Sequence, residues 1–117
     1  MSFNLLANDQ LIIDVRTLPE WEKNRIDNTL LIEWQDLLTT VNQMGIKKNR
    51  EILLFCRSGN RSGKAKKILE ENGYTNVKNL GSIQDAGNYL KLPVIKNNQW
   101  ILHKSHILYV DTAYILK

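Results

Sequence analysis

Short aliphatic runs, each about the length of a β-strand, alternate along this chain with segments that have helical periodicity. The clearest run is Ile52–Cys56, which is apolar throughout, and an earlier run covers Leu11–Val15 with Asp14 inside it. Nearly continuous apolar runs are typical of strands that are buried on both faces of a parallel sheet. The alternation therefore predicts an α/β fold, with helices on both faces of a parallel sheet.

The segments between the runs carry helix signals. Thr17 and Glu20 have the spacing of a capping box, with Pro19 in the first turn, and this predicts a short helix that ends near Asn24. Apolar residues at helical spacing predict a second helix from Trp34 to about Gly45. The remaining pattern predicts strands at 30–32 and 76–80, a helix over 61–72 that ends at a glycine in position 73, and a last helix up to about residue 90.

With 117 residues the chain is long enough for one compact domain and too short for two ordinary ones. We assign residues 1–92 to that domain and residues 93–117 to an apolar C-terminal extension, whose packing the periodicity leaves open.

No apolar run approaches the length of a membrane span, so we expect no membrane-spanning segment. The default compartment is the cytoplasm, or the periplasm if a signal peptide has been removed.

The chain has a single cysteine, Cys56, which excludes an internal disulfide, a redox Cys-x-x-Cys pair and a cysteine-based zinc site. His103 and His106 are the only histidines, and two ligands make a poor metal site. We therefore predict neither a metal nor a cofactor.

Cys56 ends the most apolar run, and the turn-rich segment after it leads into a predicted helix. The carboxyl ends of strands are where open α/β sheets place their ligand sites. Loop N–H groups and a helix N-terminus form an anion cradle, and such surroundings lower the pKa of a thiol. The alternative is a buried core thiol. As the candidate site we take Cys56 as the nucleophile and, for substrate binding, Arg57, Ser58, Gly59, Asn60 and Arg61.

The charge of the segment after Cys56 and the spacing between Cys56 and Arg61 limit the kinds of substrate that we expect at this site. Basic residues exceed acidic ones by four between Arg57 and Lys78, which equals the net charge of the whole chain. The basic face of the predicted helix in this segment has no interleaved aromatic residues, so we do not expect nucleic acid as the partner. Tyrosine phosphatases carry Cys-x5-Arg, whereas here Arg61 follows Cys56 after four residues and Ser62 stands where their arginine falls. The smaller loop favours a single sulfane sulfur over a phosphate group.

These residues resemble the single-domain rhodaneses, which are thiosulfate sulfurtransferases, and most closely the phage-shock-protein-E type. The resemblance covers about Leu11 to Ala86. It is carried by Ile13-Asp14-Val15-Arg16, Pro19-Glu20-Trp21, the loop Cys56 to Arg61, Ser62-Gly63-Lys64-Ala65 with Ile68-Leu69, Gly73-Tyr74-Thr75-Asn76-Val77 and Leu80-Gly81-Ser82. One departure is the segment Asn24 to Thr29, where such families usually carry Gly-His-Ile-Pro-Gly-Ala.

The resemblance implies a three-layer α/β fold, with a central parallel sheet of about five strands flanked by helices. It implies that Cys56 takes up sulfur as a persulfide, that the loop Arg57 to Arg61 holds it, and that Asp14 and Arg16 form a structural motif. The expected function is transfer of a sulfane sulfur from thiosulfate or a similar small anionic donor to cyanide, a thiol or a protein acceptor. The alternatives are a non-catalytic persulfide carrier or partner-binding module and, more remotely, a phosphatase or arsenate reductase.

Overall fold

The computed structural model describes residues 10–97. Most of the predicted C-terminal extension, including His103 and His106, lies outside the described residues, as do residues 1–9. Within the described part, no helix is long and apolar enough to cross a membrane.

The centre of the fold is a parallel sheet, as the sequence pattern predicts. Its strands are β1 (Leu11–Asp14), β3 (Leu30–Leu31), β4 (Ile52–Cys56) and β5 (Val77–Ser82), in the spatial order β3-β1-β4-β5. All three pairings between neighbouring strands are parallel. The α/β class is therefore confirmed, with four parallel strands in residues 10–97.

Helices connect these strands close to their predicted positions. They are α1 (Leu18–Lys23), α2 (Leu37–Gln43) after a short 3-10 helix (Trp34–Asp36), α3 (Asn60–Glu71) and α4 (Ile83–Leu90). Thr17 and Glu20 form the predicted capping box at the start of α1. Gly73 has a φ of +92°, in the left-handed region, and this fits its predicted place just beyond the end of α3.

Two apolar cores lie on the two faces of the sheet. Alternate side chains of β4 divide between them: Leu54 and Cys56 belong to the core with α2 and α3, whereas Leu53 and Phe55 belong to the core with α4. The continuous apolar run of β4 is explained by this two-sided burial. The alternation also places Cys56 on the face that α3 covers.

A small second sheet was not predicted from the sequence. It consists of β2 (Asn24–Arg25) and β6 (Ile95–Lys96), which pair antiparallel. Strands of two residues are too short to show a recognisable periodicity, and their pairing depends on the packing around them. Ile95 lies within the segment that we assigned to the extension, and it is buried.

Candidate active site

Cys56 is the last residue of β4, and its sulfur faces the loop that leads into α3. The Gly59 N–H donates to Sγ at 3.0 Å, and the Ser62 hydroxyl lies 3.4 Å from the same atom. Cys56 itself is fully buried. The sulfur therefore forms the floor of a cradle built from the loop and the first turn of α3.

Opposing effects act on the pKa of the Cys56 thiol. Burial raises the pKa, because it disfavours the charged thiolate. The Ser62 hydroxyl and the backbone N–H groups of Ser62, Ser58 and Gly59 lower it by hydrogen bonding to the sulfur, and together they outweigh burial. The pKa is thus held below its ordinary value, which favours the nucleophilic form of the thiol.

The loop conformation depends on a glycine at position 59. Gly59 has a φ of +95° and lies against Gly81 of β5: a Cβ on Gly59 would stand 3.1 Å from the Gly81 Cα. Both the left-handed backbone and the close approach favour glycine here. In this conformation the Gly59 N–H points at Sγ.

Glu20 of α1 binds both arginines of the loop. Arg61 makes a bidentate pair with it, with N–O distances of 2.8 and 2.9 Å. Arg57 is 76% exposed, and its Nε lies 3.8 Å from Glu20 Oε2. The bonds from Arg61 and Thr17 lower the pKa of Glu20 to about 2 despite its partial burial, so this carboxylate is charged at neutral pH.

The basic character of the segment from Arg57 to Lys78 is reduced by acidic side chains. Lys66 pairs with Glu70 of the same helix, while Lys78 pairs with Glu51 at 3.2 Å. Glu51, like the Glu20 that binds the loop arginines, lies outside this segment of the sequence. The excess of four already counts Glu70 but leaves out Glu20 and Glu51, so it overstates the positive charge of this segment in the folded protein.

Ser62 and Asn79 support the cradle, and the sequence analysis did not assign them to the site. The Ser62 hydroxyl lies 2.7 Å from the Asn79 Oδ1, and the Asn79 Nδ2 donates to the Gly59 carbonyl at 3.0 Å. A register shift in β5 pairs Leu54 with Asn79 and Phe55 with Gly81, which leaves the residue between them unpaired. The position of Ser62 in the first turn of the predicted helix was a sequence signal that could have assigned it to the site. No sequence signal indicated Asn79.

The other loop residues help to start α3. The Asn60 N–H is directed at the Ser58 hydroxyl, with an N–O distance of 3.4 Å, and Asn60 is the first residue of the helix. Both residues are exposed at the mouth of the cradle. The structure thus brings all six residues from Cys56 to Arg61 into one strand-loop-helix unit.

Asp14 and Arg16 form a separate, buried pair at the end of β1. The Arg16 Nη2 lies 2.8 Å from Asp14 Oδ2, and it also donates to the Asn24 carbonyl. Their contacts tie the end of β1 to the end of α1, which is the geometry of a structural pair. Within residues 10–97, no three His, Cys, Asp or Glu side chains form a group that could hold a metal ion.

A thiol that ends a parallel strand and faces the N–H groups of a loop before a helix is a candidate anion-binding cysteine site in an α/β protein. The model of the rhodanese-like domain matches residues 4–86. The chain belongs to this rhodanese-like family, which confirms the resemblance seen in the sequence.

The similar proteins include sulfurtransferases. The thiosulfate sulfurtransferase PspE of Escherichia coli (strain K12) is 30% identical over 84 residues, which cover 72% of this chain and 77% of PspE. A sulfurtransferase of Allochromatium vinosum is 35% identical over 74 residues, which cover 63% of this chain and 67% of that protein. A solved structure of a rhodanese with anions from E. coli has a TM-score of 0.65 at 29% identity, and covers 74% of this chain and 98% of that one.

Proposed function

We propose that this protein moves a sulfane sulfur from thiosulfate, or a similar small donor, to a thiophilic acceptor such as cyanide or a thiol. The observation that carries the proposal is the Gly59 N–H, which donates to Cys56 Sγ at 3.0 Å, with the Ser62 hydroxyl 3.4 Å from the same sulfur. Donors aimed at one sulfur stabilise a negative charge on it. Membership of a family that includes sulfurtransferases supports the same reaction.

The reaction proceeds in two displacements through Cys56. The Cys56 thiolate attacks the outer sulfur of thiosulfate, a new S–S bond forms, and the donor's S–S bond breaks as sulfite leaves with the electron pair. Cys56 then carries a persulfide anion, which the loop N–H groups stabilise. Cyanide or a thiolate then attacks the outer sulfur of this persulfide. The Cys56 thiolate is regenerated, and the product is thiocyanate or a new persulfide.

Access to the sulfur involves the loop itself. Because Cys56 is fully buried, we expect a donor to reach Sγ only after a movement of the residues that cover it, and the loop that donates the Gly59 N–H is one of them. Arg57 is a largely exposed charge on this loop, and we assign to it the first contact with an anionic donor. Such a contact raises the local concentration of anions at the cradle.

Thiosulfate:cyanide turnover in the wild type and in Cys56→Ser tests the proposal. We expect turnover in the wild type and its loss in the variant, because a serine hydroxyl does not form a persulfide. Circular dichroism verifies that the variant is folded. Since the chain has one cysteine, the intact mass after incubation with thiosulfate also reports loading of Cys56, as a gain of one sulfur atom. Appreciable turnover by the serine variant would contradict the mechanism.

A non-catalytic persulfide carrier or partner-binding module is the second candidate. The full burial of Cys56 favours it, because a protein partner that displaces the loop would then control access to the sulfur. A putative sulfur carrier protein of Bacillus subtilis is similar, at 32% identity over 69 residues, although this chain covers only 36% of that protein. Loading of Cys56 without repeated turnover against cyanide or small thiols would favour this candidate.

A further inference from the structure

Glu20 is the charged group that connects α1 to the loop. Its Oε1 accepts hydrogen bonds from the Thr17 N–H at 2.9 Å and the Thr17 hydroxyl at 3.0 Å, in addition to the bond from Arg61. Glu20 is 25% exposed and Arg61 is 26% exposed, so neither side chain is free to turn into solvent without losing these contacts. The carboxylate is therefore fixed beside the cradle before any donor arrives.

This placement changes the charge that a donor meets. Arg57 and Arg61 bring two positive charges to the loop, and Glu20 cancels one of them. The remaining positive charge is balanced by the Cys56 thiolate when the site is ready to react. A donor therefore approaches a cradle whose arginine, glutamate and thiolate charges sum to zero.

We propose that Glu20 is a specificity-determining residue, which limits the preference of the cradle for dianionic sulfur donors over monoanionic ones. This inference rests on the proposed function of Cys56. Without the carboxylate the cradle would carry one net positive charge, and a dianion would gain twice as much Coulomb energy from it as a monoanion. With the carboxylate present, that advantage of the dianion disappears.

Two donors of similar shape separate the effect of charge from other effects. Thiosulfate is a dianion, and methanethiosulfonate is a monoanion in which a methyl group replaces one oxygen. Attack of the Cys56 thiolate on thiosulfate releases sulfite. Attack on methanethiosulfonate breaks the equivalent S–S bond and releases methanesulfinate. Both reactions leave the same Cys56 persulfide, so their ratio of kcat/KM reports how the site discriminates by charge.

The test measures this ratio in the wild type and in Glu20→Gln. Glutamine preserves the capping box of α1. We expect the thiosulfate to methanethiosulfonate ratio to rise about threefold in the variant at low salt, and the difference from the wild type to shrink as salt screens the charge. The matched control is Glu22→Gln, which removes the same charge from an exposed position on the same helix, and we expect it to leave the ratio unchanged.

Further variants distinguish charge selection from a structural role. Glu20→Asp keeps the negative charge with a shorter side chain, and we expect the wild-type ratio even if the rates with both donors fall. An unchanged ratio in Glu20→Gln, or equal losses with both donors, would overturn the inference and leave sulfur transfer intact. If the glutamine variant does not fold, a changed ratio in Glu20→Asp would overturn it instead. Failure of wild-type Cys56 to load with either donor would contradict the proposed function.

Discussion

The ends of β1 and β4 lie side by side in the sheet, and each is followed by an arginine bound to a carboxylate. At β1 the pair is local in sequence and fully buried, since Asp14 and Arg16 are 0% and 3% exposed. At β4 the pair joins distant segments and is partly exposed, since Arg61 reaches back to Glu20 of α1. The first pair ties the end of β1 to the end of α1, whereas the second connects the loop after β4 to α1.

The largest effect on stability is expected at β1, from Asp14→Asn. This change leaves the Arg16 guanidinium buried without its counter-charge, and breaking such a pair typically costs about 3–5 kcal/mol. Urea denaturation measures the loss in free energy of unfolding. Asp36→Asn, at an exposed position, is the matched control with a small expected effect. A loss in Asp14→Asn as small as that in the control would show that the buried pair is not structural.

At β4 the conformation of the loop is tested by Gly59→Ala. The added Cβ meets the Gly81 Cα at 3.1 Å in a left-handed backbone, and we expect a loss of about 1–3 kcal/mol together with slower loading of Cys56. Gly45→Ala is a matched control, because Gly45 also has a positive φ but has nothing within 4 Å of the added Cβ. Equal losses in the two variants would mean that the contact with Gly81 contributes nothing.

The Glu20 pair is expected to contribute less stability than the buried one, because solvent screens it. We expect Glu20→Gln to lose about 1–2 kcal/mol at pH 7. The folded-state pKa of about 2 lies below the ordinary value of 4.5, so this contribution is present above pH 4.5 and is lost as the pH falls towards 2. Urea denaturation as a function of pH should show that loss in the wild type and in Glu22→Gln. If Glu20→Gln shows the same loss, the pair is not its source.

The smallest change is expected from Ser62→Ala, which removes one hydroxyl beside Cys56 Sγ. Loss of this hydrogen bond should raise the pKa of the thiol, because the thiolate loses a donor. The rate of alkylation by iodoacetamide as a function of pH measures this pKa. Ser58→Ala is the control, since the Ser58 hydroxyl accepts from the Asn60 N–H rather than contacting the sulfur. If both variants titrate like the wild type, the Ser62 hydroxyl does not stabilise the thiolate.

Much of the fold could be predicted because its signals are local. The apolar runs of β1 and β4, the capping box at Thr17 and the glycine after α3 each depend on neighbouring residues. The small sheet of β2 and β6 could not be predicted, since its two strands are far apart in sequence and too short to show a period.

Part of the candidate site could be predicted, because the signals for that part are also local in sequence. The loop from Cys56 to Arg61 is continuous in sequence, so its residue types already indicated a thiol in an anion cradle. Asn79 comes from another strand, and its side chain reaches the loop because of the register shift in β5. The sequence analysis assigned Arg57 and Arg61 to substrate binding but did not include Glu20, whose carboxylate pairs with both of them.

The sequence by itself determined the parallel α/β sheet, the order of most elements and the candidate cysteine. These properties follow from periodicity and from residues that are adjacent along the chain. The tertiary structure decided the net charge around Cys56 and the hydrogen bonds that support the loop. Electrostatic and hydrogen-bonding effects depend on distances in space, and Glu20, Ser62 and Asn79 come together only when α1, α3 and β5 pack around the end of β4.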